Sequence, residues 1–268
     1  MVNSLGLDLA NLIDAFPESQ QDPYIIIEVP DDKLEELKSV LGPAVRRSYI
    51  SDARLRERVA AGNSEGEIIA ARLPNPGTTM SGDFGEIITA IVHAVRDTPQ
   101  QHVDPKKWRL KEARNRPAPF TDVVQMVVPM WPSPTGDDRL IASEVKAKAT
   151  NGSSAPVETA IEGSKKDKET RLSNTLVWLR ERLISDSGGV EDISREQLDR
   201  FIEADRYPQH SREFFAVAVI SDDLLKSTLK DVPDPMPSDH TLIVISIPSL
   251  KELYEVVYEL AGNSGLTA

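Results

Sequence analysis

The chain has 268 residues and no cysteine, which excludes a disulfide scaffold, thiolate metal sites and a cysteine nucleophile. A hydrophobic fraction of 40% with 28% charged residues is ordinary for a globular protein long enough to bury a sizeable core. The net charge of −12 argues against gripping nucleic acid or anionic membrane through the overall field, while leaving room for a local basic site.

Residues 1–16 lack a basic leader and place Asp8 and Asp14 within their apolar pattern, so they do not read as a signal peptide. No run reaches the ~18 apolar residues of a membrane span. The expectation is a cytoplasmic protein with no membrane partner. Residues 23–29 predict a short buried strand, and Asp31 and Asp32 open a helix that carries Leu34, Leu37 and Leu41 on one side. Residues 51–72 read as less regular helix. The stretch 74–82 (PNPGTTMSG) reads as a linker, which divides the chain into an N-terminal α/β accessory region, 1–80, and a main domain, 81–268.

From Asp83 to Arg96, the apolar residues Phe84, Ile87, Ile88, Ile91, Val92 and Val95 recur at helical spacing. Residues 106–112 predict a basic strand: Lys106, Lys107, Arg109, Lys111, Arg114 and Arg116 stand against a single acid, Glu112, between acidic flanks. Two strands follow, 120–128 and 140–148, separated by the turn-rich PMWPSPTGDD. Residues 157–184 predict helix with a break near Gly163 and an apolar stripe of Leu172, Leu176, Leu179 and Leu183. Strands at 214–220 and 241–247 and a helix at 249–260 complete a fold expected to be α/β, a mixed sheet flanked by helices.

Within strand 140–148, Glu144 and Lys146 share a face. In strand 120–128, Asp122 interrupts an otherwise apolar face. An unpaired carboxylate there costs several kcal/mol, roughly, so a cation must meet it, either Lys146 or a metal. Asp122, Glu144 and the Val145 carbonyl are hard oxygen donors suited to Mg²⁺, with Mn²⁺ as a substitute. Lys146 would then orient the attacking water and stabilise developing negative charge. A plain same-face ion pair between Glu144 and Lys146 is the competing explanation. His93, His102, His210 and His240 are dispersed without metal-ligand spacing. Lys165, Lys166, Lys168 and Arg171, interleaved with Asp167 and Glu169, read as a solvated helical turn.

An Asp strand, a turn-rich hairpin, a Glu-Val-Lys strand and an upstream helix carrying Glu86 resemble the PD-(D/E)XK nuclease superfamily. Thr121-Asp122 stands where that family often has Pro-Asp. The runs SGDFGEIITAIVHAV, KKWRLKEARNRPAPFTDVV and LIASEVKAKAT narrow the resemblance to the HamA-like nuclease subunit of Hachiman-type antiphage systems, over about residues 80–185. The resemblance implies a restriction-endonuclease-like core and a Mg²⁺-dependent deoxyribonuclease acting with a helicase. Asp122, Glu144 and Lys146 would be catalytic and Glu86 would complete the metal or water network, unless Glu86 is a simple exposed first-turn residue. DNA would be held by the cluster from Lys106 to Arg116. The alternative is a catalytically silent scaffold that keeps the fold and binds a basic partner through its acidic flanks.

Overall fold

The computed structural model describes residues 2–185, 191–237 and 239–266. Among these residues seven strands form one sheet in the order β1-β2-β7-β6-β5-β4-β3. They are β1 (Glu18–Gln21), β2 (Tyr24–Glu28), β3 (His102–Val103), β4 (Val123–Val127), β5 (Arg139–Lys148), β6 (Ser211–Ser221) and β7 (Thr241–Ile247). Strands β2, β7, β6 and β5 pair in parallel, while β1 on β2, β4 on β5 and β3 on β4 are antiparallel. The helices are α1 (Leu34–Tyr49), α2 (Asp52–Ala60), α3 (Glu65–Arg72), α4 (Thr78–Arg96), α5 (Pro156–Lys166), α6 (Leu172–Ile184), α7 (Arg195–Ile202), α8 (Leu225–Thr228) and α9 (Leu250–Asn263). Among the described residues no helix is long and apolar enough to cross a membrane.

The central strands are apolar on both faces, as a sheet covered on both sides requires. On one face Val123, Ile141, Val145, Val217 and Ile243 pack against α1, α4 and α9. On the other, Val124, Met126, Leu140 and Ala142 meet Leu172, Leu176 and Leu179 of α6 and Phe201 of α7. Beside them Ala216, Ala218, Leu242 and Val244 meet Val157, Ala160 and Ile161 of α5. The arrangement is a restriction-endonuclease-like α/β fold, three layers deep.

Several expectations are corrected. Residues 74–82 do not form a linker throughout: Gly77, at φ 145°, ends the irregular backbone and α4 starts at Thr78. Gly, Ser and Thr mark helix starts as readily as loops. The boundary expected at residue 80 therefore falls within a helix, and β2, from before it, pairs with β7, near the other end of the chain. Leu12, Ile27, Leu41 and Leu55 share one apolar core with Phe84, Ile88 and Val257. Helix α1 also runs past Gly42 and Pro43, because Ala44, Val45 and Tyr49 bury their side chains there. A Cβ on Gly42 would stand 2.7 Å from Leu260 Cβ, so α1 and α9 cross at a contact only glycine admits.

Residues 106–112 are not a strand. Lys107–Leu110 form a 3₁₀ turn, entered through Lys106 in the left-handed region at φ 47°. Helix α5 passes through Gly163 unbroken, and the irregularity comes later, as a π turn from Asp167 to Arg171 that leads into α6. A π turn rotates the residues after it relative to the preceding stripe, and such turns recur at functional sites.

Candidate active site

Strand β4 pairs with β5 so that Val123 opposes Ser143, and extending that register by one residue sets Asp122 opposite Glu144. The two carboxylates thus lie on one face, the one covered by α5 and α6. Asp122 Oδ2 accepts the Val145 amide at 2.9 Å, which fixes the carboxylate against the end of β5. Lys146 Nζ stands 2.6 Å from Glu144 Oε1, 3.0 Å from the Val145 carbonyl oxygen and 3.5 Å from Asp122 Oδ2. The three oxygens read from the sequence as metal donors therefore converge on one point, which the ammonium fills.

The donor chemistry fits a hard divalent cation. Two features oppose loading in this state: Arg171 Nη1 takes Glu144 Oε2 at 2.9 Å, and among the described residues no three acidic or histidine side chains are grouped as a metal cage. Any third protein donor would be the Val145 carbonyl. Burial, and then the charge of Asp122, push Glu144 above its ordinary pKa despite Lys146 and Arg171. Burial opposes the charge of Lys146, but Asp122 and Glu144 outweigh it and hold the ammonium above its usual value.

Glu144 lies against the backbone of α5. A Cβ on Gly163 would be 2.3 Å from Glu144 Cδ, so glycine is the residue that leaves room for the carboxylate. From the opposite helical layer comes Glu86, mid-helix in α4 and only 8% exposed, with Oε2 accepting the Trp108 indole N–H at 2.8 Å. It is neither first-turn nor exposed. Burial, then the charges of Asp122 and Asp83, drive its pKa well upward. Its neighbour Gly85 lets α4 sit close on β5, since a Cβ there would be 3.2 Å from Ala147 Cβ.

Two further groups enter the site that the sequence reading assigned elsewhere. Asp167, read as part of a solvated turn, is fully buried, with Oδ1 accepting the Thr121 hydroxyl at 2.9 Å and Oδ2 left without a partner. Burial and the nearby Glu144 push it up to about 7. Lys107, read as a phosphate contact, is buried beneath the site; its ammonium donates to the Pro119 carbonyl at 2.7 Å and to the Thr121 carbonyl. Burial lowers its pKa, while Glu86, Asp122, Asp167 and Glu144 all pull it back up. One buried cation, hydrogen-bonded to backbone carbonyls, thus lies in the field of four carboxylates.

The other members of the basic run are likewise engaged inside the fold. Lys106 pairs with Asp104 at 3.1 Å, Arg109 with Asp192 at 2.8 Å and Lys111 with Asp83 at 2.6 Å. These four, Lys107 included, form no surface patch for DNA. Arg114 and Arg116 alone of the run are exposed. The four histidines are dispersed, His93 on α4, His102 on β3, and His210 and His240 just before β6 and β7, each hydrogen-bonded: His93 to Ser143, His102 to Asp97, His210 to Arg200 and His240 to Ser164. A signal for Asp167 was present in the helical spacing: Val157, Ala160, Ile161 and Ser164 form the buried stripe, and Asp167 is its next member. Nothing in the sequence distinguishes the buried Lys106, Lys107, Arg109 and Lys111 from the exposed Arg114 and Arg116.

No curated protein sequence matches this chain. A family model described as HamA matches residues 13–261, nearly the whole chain, and the protein belongs to the HamA family.

Proposed function

We propose that this protein of Hachiman-type antiphage defence is a metal-dependent deoxyribonuclease of the PD-(D/E)XK kind, working in the cytoplasm with a helicase partner. The observation that carries the reading is the convergence of Asp122, Glu144 and the Val145 carbonyl on one cation-binding point at the end of β4 and β5. Those three groups would hold Mg²⁺ or Mn²⁺. When bound, the ion supplies Lewis-acid polarisation of a phosphate oxygen and an acidified water.

The chain's own residues do the rest. Lys146 leaves the donor point and turns its ammonium toward the scissile phosphate, where it stabilises the charge that builds up and orients the attacking water. Arg171 releases Glu144 Oε2 and becomes a second cation facing the substrate. Glu86, buried and hydrogen-bonded to Trp108, is held above the ordinary carboxylate range by burial and by the nearby charges of Asp122 and Asp83. In the ammonium-filled arrangement an incoming ion must displace Lys146 from the donor point, which weakens metal loading and suits an enzyme held back until its partner delivers a strand.

The double engagement of Glu144 by Lys146 and Arg171 also favours a second reading, the silent scaffold. Incubating the protein with its neighbouring helicase, ATP, Mg²⁺ and plasmid or oligonucleotide DNA separates the two. Cleavage that Glu144→Gln abolishes supports the nuclease. An equal rate in wild type and Glu144→Gln, or no cleavage in the complete system, contradicts it.

A further inference from the structure

Phe120 is held in a conformation that local energetics disfavour twice. Its φ is 67°, in the left-handed region that a bulky side chain occupies only at a cost, where glycine or asparagine would sit without strain. The residue is 41% exposed, so burial does not compensate for that cost.

The surroundings enforce the geometry. The Lys107 ammonium donates to the carbonyls of Pro119 and Thr121, the residues on either side of Phe120. The Thr121 amide donates to Thr175 Oγ1 at 3.2 Å and its hydroxyl to Asp167 at 2.9 Å. A buried cation and a fully engaged Thr121 thus clamp the chain so that an aromatic ring points outward two residues before Asp122. Strain that the fold over-determines at a site edge is characteristic of working positions.

Exposed cations that suit phosphates lie on the same segments: Arg114 and Arg116 precede the ring in the chain, and Lys165 and Lys166 follow Gly163, the α5 residue that lies against Glu144. A rigidly presented aromatic face beside scattered cations is the arrangement that binds unpaired bases, because a base inside a duplex already has its stacking partners.

We propose that Phe120 is a stacking platform for an unpaired base of single-stranded DNA, seating the strand next to the Asp122 and Glu144 site. This rests on the nuclease reading for the identity of the substrate, and it goes beyond that reading by naming strandedness and a contact residue. Phe120 stacks on the base, the exposed cations meet the flanking phosphates, and the clamp on Thr121 fixes the distance between the stacked base and the carboxylates.

The test measures binding without cleavage. Full-length protein in EDTA is titrated with a single-stranded oligodeoxynucleotide carrying 2-aminopurine, and with the same sequence as a blunt duplex. The proposal expects wild type to quench the single-stranded probe, and Phe120→Ala and Phe120→Gly to weaken that binding about tenfold. Phe120→Tyr should restore it, and affinity for the duplex should not change. Phe120→Gly should keep the melting temperature or raise it by about 2 °C, because it relieves the left-handed strain. Equal single-strand affinity in wild type and Phe120→Gly, an equal loss on duplex, a lowered melting temperature that accounts for the loss, or no single-strand binding by wild type would overturn it. A Mg²⁺ cleavage assay on the same proteins keeps the two readings apart. If stacking persists in a protein that never cuts, the nuclease reading fails and Phe120 keeps its role; if cutting persists in Phe120→Gly with no change in KM or in cleavage position, the reverse holds.

Discussion

At the scale of single residues, the site is a balance of close charges, and each substitution shifts it in a direction the geometry fixes. Glu144→Gln and Asp122→Asn remove negative charge from a crowded cluster, so they should abolish cleavage and metal binding while folding stability, read by urea unfolding, is kept or slightly raised. Lys146→Ala should reduce turnover far more than metal affinity, because it takes the ammonium out of the donor point without removing a donor. Asp167 carries a pH dependence. It titrates near 3.8 in the unfolded chain and near about 7 when folded, so the folded state holds the extra proton between those values and stability falls as pH rises through that window. In EDTA, wild type should lose about 2–3 kcal/mol more than Asp167→Asn between pH 5 and pH 8, at 1.36 kcal/mol per pKa unit. Parallel urea curves for the two proteins at both pH values would refute this.

At the scale of elements, two helices are set against the sheet by glycines, and the π turn directs Asp167 and Arg171 inward. Gly163→Ala places a methyl group where Glu144 Cδ lies, and the side chain, being the flexible partner, must move. Metal-dependent cleavage should fall at least tenfold, while global stability changes by no more than about 1 kcal/mol, since alanine itself favours the helix. Unchanged activity would show that Glu144 does not need its place against α5. The same elements show what the sequence discloses. Strand alternation put Asp122, Glu144 and Lys146 on one face because period-2 patterning survives folding intact. The basic run misled because lysine and arginine look alike whether solvated or paired, and the acids that bury them, Asp83, Asp104 and Asp192, lie far along the chain or outside the run. Glu86 was hard to place because an α4 covered on nearly every side leaves no clear polar face.

At the scale of the whole molecule, one sheet and one main apolar core join both ends of the chain, so the N-terminal region should not be separable. Deleting residues 2–77 removes β1, β2 and α1 from the sheet and from the α9 face, and the remainder should lose cooperative unfolding by circular dichroism. A cooperatively folding fragment would restore the division at residue 80. With a net charge of −12, internalising most of the basic run removes the clustered cationic surface expected to hold DNA. Lys107→Glu should therefore destabilise the fold, whereas Arg114→Glu with Arg116→Glu should leave melting unchanged and weaken salt-sensitive DNA binding. Most of the affinity for DNA would then come from the helicase partner.

The measurement closest to the central claim is calorimetric titration of Mn²⁺ into the full-length wild type, Asp122→Asn, Glu144→Gln and Lys146→Ala. Saturable binding in wild type, lost in both carboxylate variants and kept or tightened in Lys146→Ala, is the predicted result, because the ammonium and the ion compete for the same three oxygens. Absence of saturable binding in both wild type and Lys146→Ala, or binding that survives both carboxylate substitutions, would contradict it.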